Sequence, residues 1–400
     1  MIVFTNGRIL DGKGGSLESG SVFVEEQRIL RVSPKPDADI PKGSQSINIS
    51  GKTLLPGLID CHVHLCLDGS ADPIQPLLSD NDALLSIKVA ARARRTLEAG
   101  FTTVRDMGGK NYVEIAVRDA IRNGLTDGPR IVSSGRPICM TGGHGWQFGR
   151  EADGTDEIRQ ATREQLKAGA NVIKLMATGG VITPGVKPVA TQLSLEEIRA
   201  GVVEAHKAGR KTAAHAQGLG GIKNALMAGI DSIEHGIYID EEMIGLMKER
   251  GTFLVPTFSV PYFIQKYGKA AGIPDYIVEK NEEVTEIHLK NMKKALTQGV
   301  LMALGTDAGT PFNPHGENAI ELAKLVELGM TPMKAIVAAC GLASDLLGMS
   351  EHIGSIEPGK KADLLVLDGN PLEDITLFQN REKICHVMKD GQFIRLPRHE

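Results

Sequence analysis

The stretch Leu54-Leu55-Pro56-Gly57-Leu58-Ile59-Asp60-Cys61-His62-Val63-His64 carries the reading of this chain, and Gly305-Thr306-Asp307-Ala308-Gly309 answers it far downstream. Beyond Pro56-Gly57 the residues read as a short strand. Alternate side chains of a strand share a face, so His62 and His64 project together while Ile59 and Val63 can pack. Neutral imidazole is a good ligand for zinc and similar ions. Alone, the pair fits a metal site and a hydrogen-bonded structural pair equally well, and its surroundings decide.

Outward from this strand, apolar strands alternate with helices. Strands are expected at 58–65, 102–106, 130–134, 172–176, 211–215, 232–235, 252–256 and 301–306. Helices between them include 82–99, 156–168, 195–208, 222–228, 241–250 and 282–298. Eight strands followed by helices predict an α/β fold of the (β/α)8 TIM-barrel type. An open doubly wound sheet is the alternative, but no Gly-x-Gly-x-x-Gly follows the first strand.

Both ends of the chain are β-rich. Short strands are expected at 2–6, 20–25, 28–33 and 45–48, with Gly12-Lys13-Gly14-Gly15 as a loop. Near the other end, Gly359-Lys360-Lys361-Ala362-Asp363 leads into 364–367, and 384–389 turns at Asp390-Gly391 into 392–396 as a hairpin. Each segment is too small for a core of its own, so the two are expected to pair as a small discontinuous β-sandwich domain. The expected division is 1–54 and 355–400 for that domain and 55–354 for the catalytic barrel.

Of the 400 residues, 42% are hydrophobic and 24% charged, which suits a chain with a large core. A net charge of -4 and the lack of a basic run give no case for nucleic acid. No apolar run approaches the roughly 20 residues that span a bilayer. The start Met1-Ile2-Val3-Phe4-Thr5-Asn6-Gly7 lacks a signal-peptide pattern, so a cytoplasmic protein is expected. The five cysteines, Cys61, Cys66, Cys139, Cys340 and Cys385, are scattered through apolar runs and read as buried free thiols.

Active sites of such barrels lie at the C-terminal ends of the strands. His62 and His64 lie on the first strand, Lys174 on the fourth, His215 and His235 end the fifth and sixth, and Asp307 ends the eighth. One histidine at a strand end is ordinarily structural; several converging are not explained that way. Lys174 sits among Val172, Ile173, Leu175 and Met176, where an unpaired charge would be costly. It could reach the rim and pair with a carboxylate. The favoured reading is that its amine, made less basic by burial, captures carbon dioxide and becomes an anion able to bridge two divalent metals.

These pieces resemble the amidohydrolase superfamily, and within it the imidazolonepropionase-related branch that contains metal-dependent Xaa-Pro dipeptidases (prolidases) and carboxypeptidases. The resemblance spans nearly the whole chain. Besides the two motifs already quoted, it rests on Ile173-Lys174-Leu175-Met176-Ala177-Thr178-Gly179-Gly180, Ala213-Ala214-His215-Ala216, Ser232-Ile233-Glu234-His235-Gly236 and the segment 354–363. It implies a binuclear centre of two divalent ions, taken as zinc, with His62, His64 and Asp307 on one metal and His215 and His235 on the other. Carboxylated Lys174 would bridge them. Asp307 would take a proton from the attacking water and pass it to the departing nitrogen. The implied activity is cleavage of the C-terminal amide bond of dipeptides or N-acyl amino acids, Xaa-Pro dipeptides foremost.

Deaminases of the superfamily tend to carry a glutamate three residues after the fifth-strand histidine, whereas this chain reads His215-Ala216-Gln217-Gly218. Cyclic amide hydrolases of the hydantoinase and dihydropyrimidinase type share the bridging lysine and are the chief enzymatic alternative. A non-catalytic scaffold would lose metal ligands, and all six positions are filled. In Met140-Thr141-Gly142-Gly143-His144-Gly145-Trp146, glycines allow close backbone approach and His144 is expected to bond a substrate carboxylate or carbonyl. A tyrosine placed like Tyr238 holds the substrate's terminal carboxylate in the resembling peptidases; alternatively it caps the helix starting near Asp240. Loops 177–181 and 255–257 are expected to line an apolar pocket that suits proline. A small molecule is the expected partner, along with a second copy of the chain in a homo-oligomer. Arg92, Arg94 and Arg95 on helix 82–99 would serve such an interface or simply face water.

Overall fold

A computed structural model describes residues 1–35, 39–181, 183, 185–271 and 275–394. Five strands come first: β1 (Ile2–Leu10), β2 (Ser16–Glu25), β3 (Arg28–Ser33), β4 (Gln45–Asn48) and β5 (Lys52–Pro56). The central set is β6 (Leu58–Val63), β7 (Phe101–Asp106), β8 (Arg130–Ser133), β9 (Ile138–Cys139), β10 (Arg150–Glu151), β11 (Val172–Met176), β12 (Lys211–Ala216), β13 (Ser232–His235) and β14 (Phe253–Val255). The last are β15 (Leu364–Asp368), β16 (Ile384–Lys389) and β17 (Gln392–Phe393).

Every residue of β6, β7, β11 and β13 is buried, since parallel strands are covered on both faces, so the polar side chains that β7 and β13 carry must find partners inside the barrel. Parallel ladders join β6 to β7 to β8, and β9 through β11, β12 and β13 to β14. Between these two sheets, Asn171 N donates to Ser133 O at 2.7 Å. On the opposite side, the segment expected as the eighth strand runs between β14 and β6 and closes the TIM barrel. Leu254 N donates to Leu301 O and Cys61 N to Leu304 O, both at 2.8 Å, and Asp307 N to His62 O at 2.7 Å.

That eighth segment is not the regular strand expected at 301–306; its pairing is reduced to isolated bridges at Met302 and Ala308. The end of helix Pro332–Ala338 intrudes into the seam, where Ala338 O accepts from Leu304 N at 3.0 Å and Ala339 O from Ile59 N at 2.8 Å. Gly305 permits the crowding, since a Cβ there would lie 2.3 Å from Val255 Cγ1. Asp60 also pins the seam: its carboxylate accepts from His62 N, Thr306 N, Thr306 Oγ1 and Asn318 Nδ2.

The expected helices are present, with ends set by local chemistry. Asn81 caps Asp82–Glu98, Ser194 and Glu197 form a capping box on Leu195–Lys207, and left-handed Gly169, Gly229 and Gly251 end three others. Helix Ser259–Tyr267 was not expected, because Pro261 and its aromatic and β-branched neighbours are poor helix formers. Arg92 does not face outward as the helix pattern implied. It is buried, and its guanidinium donates to Leu65 O and Cys66 O, fixing the loop after the first barrel strand.

The terminal strands form one sheet in the order β17-β16-β15-β5-β1-β2-β3, with β4 parallel to the start of β1 and β5 parallel to its later part. Phe4 on β1 and Phe393 on β17 stand four strands apart, yet their ring centroids are 6.0 Å apart. A flat sheet would separate them by about 19 Å at its usual strand spacing. The sheet therefore rolls around a core that includes Phe4, Val22, Ile29, Leu54, Val366 and Met388, giving two layers from one continuous ladder. Of the strand expected at 392–396, residues 395 and 396 lie outside the described residues. All five cysteines are free thiols, four of them buried. Among the described residues no helix is long and apolar enough to cross a membrane.

Candidate active site

A cavity at the C-terminal ends of the barrel strands is lined by His62, His64, His144, Lys174, His215, His235 and Asp307. Leaving aside His144, the other six come from five strands or strand ends, so only the closed barrel brings them together. His62 and His64 rings lie 5.4 Å apart, His62 and His235 5.2 Å, and His215 and His235 4.6 Å. Donor atoms of His62, His235 and Asp307 lie within 4.8 Å of one another and could hold a metal ion.

Each histidine spends one ring nitrogen on an anchor and leaves the other facing the cavity. His62 Nδ1 donates to Glu234 Oε2 at 2.7 Å, His64 Nδ1 to Gly108 O at 2.9 Å and His215 Nε2 to Gly179 O at 2.9 Å. His235 Nδ1 meets Thr257 Oγ1 at 2.8 Å. Carboxylate and carbonyl oxygens cannot donate, so the first three anchors fix the neutral tautomer and free the opposite nitrogen as an acceptor. This is the arrangement that metal-ligating histidines use.

The other two donors are unsatisfied. Asp307 Oδ1 stands 3.4 Å from His62 Nε2 and 3.3 Å from His64 Nε2 but accepts a hydrogen bond from neither, and Lys174 Nζ has no hydrogen-bond partner among the described residues. Burial lowers the Lys174 amine to about 8. Burial likewise lowers His62 and His215 well below the ordinary imidazole value and His235 to about 3. For Asp307, burial would raise the carboxyl, but the neighbouring His62 and His64 outweigh it and hold it far below the carboxylate range. Asp307 in turn raises His64 despite its burial. Three imidazoles held neutral, an ionised carboxylate and a weakened amine suit a divalent cation, and the orphaned atoms call for one.

His235, Thr257 and Asp307 also adopt left-handed backbone conformations at φ of 71°, 57° and 58°. For non-glycine residues this costs on the order of 1–3 kcal/mol each, and such strain clusters where side chains must be aimed. Here it turns the ends of three strands toward one point.

Of the two residues expected to hold substrate, His144 reaches the cavity. Its Nδ1 lies 2.5 Å from Thr183 Oγ1, its ring is 4.4 Å from His215, and a Cβ on Gly180 would collide with it. Tyr238 does not line the cavity. It is half-buried beside a wall formed by Ile237, and the helix cap is supplied by Asp240, which accepts from Met243 N. Trp146 is 47% exposed and takes no part in the lining. Val260, Pro261 and Ile264 on the unexpected helix, with Val284 and His288 from Asp275–Thr297, roof the cavity and give it an apolar face.

Sequence reading also missed the support behind His62. Glu234 Oε1 accepts from Arg105 Nη2 at 2.8 Å and from Ser232 Oγ at 2.6 Å, and Arg105 also donates to Cys61 O. The signal was present: one glutamate and one arginine stand in barrel strands that are buried along their whole length, where opposite charges must find each other.

Residues 53–394 match the amidohydrolase family, and the chain belongs to it. It is 35% identical to the ochratoxinase of Aspergillus niger, covering 98% of this chain and 86% of that protein. A crystal structure of a Xaa-Pro dipeptidase with methionine bound in the active site matches with a TM-score of 0.91 at 35% identity, over 98% of this chain and 99% of the other. A prolidase complexed with N-methylphosphonate-L-proline matches with a TM-score of 0.91 at 33% identity, over 99% and 100%. The protein is thus an amidohydrolase, an enzyme that cleaves amide bonds in small molecules.

Proposed function

We propose that this enzyme hydrolyses the C-terminal amide bond of dipeptides or N-acyl amino acids, with proline as the preferred leaving residue, using two divalent metal ions, taken as zinc. The observation that carries the metal reading is Lys174, fully buried and without a hydrogen-bond partner amid four histidines and Asp307. Its neutral amine would add carbon dioxide, forming an N–C bond and releasing one proton, to give a carbamate that replaces a misplaced cation with an anionic ligand. His62, His64 and Asp307 would hold one ion and His215 and His235 the other, with carboxylated Lys174 between. When bound, such ions acidify water and polarise a carbonyl.

The chain's own groups do the remaining work. Asp307 is ionised and bonded to nothing at Oδ1, so it can accept the proton of the attacking water and deliver it to the leaving nitrogen. Glu234 holds the His62 ring in one orientation. The apolar roof excludes bulk water and accommodates a proline ring, and His144 is the candidate holder of the substrate carboxylate. The Xaa-Pro dipeptidase and prolidase neighbours favour an acyl amino acid over a cyclic amide.

The test is a screen of zinc-loaded protein on Xaa-Pro dipeptides, other dipeptides, N-acyl amino acids, hydantoins and dihydropyrimidines. Highest kcat/KM on a proline-terminated compound is expected. Faster turnover of the cyclic amides than of any linear substrate would overturn the reading.

A further inference from the structure

Gln217 is a polar side chain of the cavity wall for which neither a metal nor the chemistry of bond cleavage has a use. Its backbone is clamped on both sides, since its N–H donates to Thr178 Oγ1 and its carbonyl accepts from Tyr238 N, both at 3.0 Å. The side chain is 94% buried by its exposure of 6%, lines the cavity, and leaves Oε1 with no hydrogen bond. A buried acceptor left unmade is unfavourable unless something else completes it. Nothing among the described residues does.

We propose that Gln217 is a specificity residue that accepts a hydrogen bond from an N–H on the acyl residue of the substrate. This rests on the reading of the site as an amide hydrolase for acyl amino acids and narrows it. An orphaned acceptor cannot be completed by the substrate's carboxylate or scissile carbonyl, which have no proton to give. The chemistry that completes it is a nitrogen carried on the carbon next to the scissile carbonyl, as in an aminoacyl or acylaminoacyl group. Asp307 is the sole carboxylate among the described residues lining the cavity, so no second anion stands ready for that nitrogen. The enzyme therefore selects aminoacyl over plain alkanoyl substrates through a neutral amide oxygen.

The decisive comparison is alanyl-proline, N-acetylalanyl-proline and propionyl-proline, which differ only in the group on that carbon, measured on metal-loaded wild type, Gln217→Leu and Gln217→Glu. In the wild type, kcat/KM for the two N–H substrates should exceed that for propionyl-proline by about tenfold or more, the scale on which a built polar site rejects an analogue lacking its partner. Gln217→Leu should bring the ratio close to one. Gln217→Glu keeps the shape and adds a charge, so it should shift preference from the acetylated toward the free amino compound. A wild-type ratio near one, or an unchanged ratio in a Gln217→Leu protein with native circular dichroism and metal content, overturns the proposal. Should Gln217→Leu fail to fold, an unaltered preference in Gln217→Glu does the same. Failure of the proline reading looks different: the same three acyl groups would be turned over only when joined to another amino acid, and the Gln217 ratio is then read there. If none is turned over, calorimetric Kd values for the same three compounds supply the ratio, and absence of binding refutes it.

Discussion

The barrel buries ionic groups at both ends, and the two ends treat them oppositely. At the starts of the strands, Arg130 donates to Thr103 Oγ1 at 3.0 Å, Asp363 at 2.6 Å and Asp390 at 2.8 Å, and Lys361 also pairs with Asp390. Every charge there is answered, and the cluster ties β8 to the terminal sheet. At the other end, Lys174 Nζ and Asp307 Oδ1 are left without hydrogen bonds in a more buried setting. Burial is similar in kind, so satisfaction is what separates a joint from a site: saturated groups fix structure, and unsaturated ones await something the chain does not supply.

Mutations at the two ends should therefore fail in different ways. The largest effect on turnover is expected at Lys174→Ala, which should abolish activity, drop metal content from about two ions per chain, the number a bridged pair requires, and be partly rescued by short-chain carboxylic acids. A metal content and turnover equal to wild type would place Lys174 with the structural charges instead. Because its amine titrates at about 8, the neutral form needed for carboxylation grows as pH rises. Reconstitution of metal-free protein at fixed dissolved carbon dioxide should accelerate accordingly and level off above that pH.

Asp307→Asn comes next. It retains a coordinating oxygen but not a base, so turnover should fall by about a hundredfold or more with metal still bound. Glu234→Gln should cost about ten- to a hundredfold in metal affinity or activity, the range found for groups that orient ligating histidines. Competition against a chelator would separate the two effects, and no change in either would reduce Glu234 to a partner of Arg105.

The smallest effect on turnover is expected from Arg130→Met, whose whole consequence should be on stability. Removing one member of a largely buried ionic cluster destabilises by about 3 kcal/mol or more, measurable by denaturant unfolding, with kcat unchanged in the folded fraction. Burial would raise the Asp390 carboxyl, but Arg130 and Lys361 outweigh it and hold it below its ordinary value. The stabilisation from this cluster is thus present above the ordinary carboxylate pKa and lost as pH falls through the lower, folded one. Arg130→Met should flatten that acid limb, and an unaltered acid limb would show the cluster to be dispensable.

Much was legible in the chain alone. Alternation placed His62 and His64 on one face, apolar strands at regular intervals implied the barrel, and the misfit of Lys174 in an apolar strand marked it as unusual. These are local patterns, and local physics is enough to read them. The family resemblance supplied the grouping of the donors, and the barrel's closure brings all of them to one cavity.

Other features had no local signature. Whether the eighth segment pairs as a strand depended on the end of a helix more than thirty residues later in the chain, whose carbonyls took the hydrogen bonds a ladder would use. Arg92 turned inward because carbonyls of a distant loop needed a donor there. Tyr238 and Ile237 are neighbours in sequence, and only the path of the chain after His235, itself in a left-handed conformation, decided which of them faces the cavity. Composition and periodicity determine the class of fold and most of its apolar core. Which buried polar atoms are answered, and which are left open for chemistry, is decided only in the tertiary structure, because a hydrogen bond depends on ångström-scale distances between residues that the sequence holds far apart.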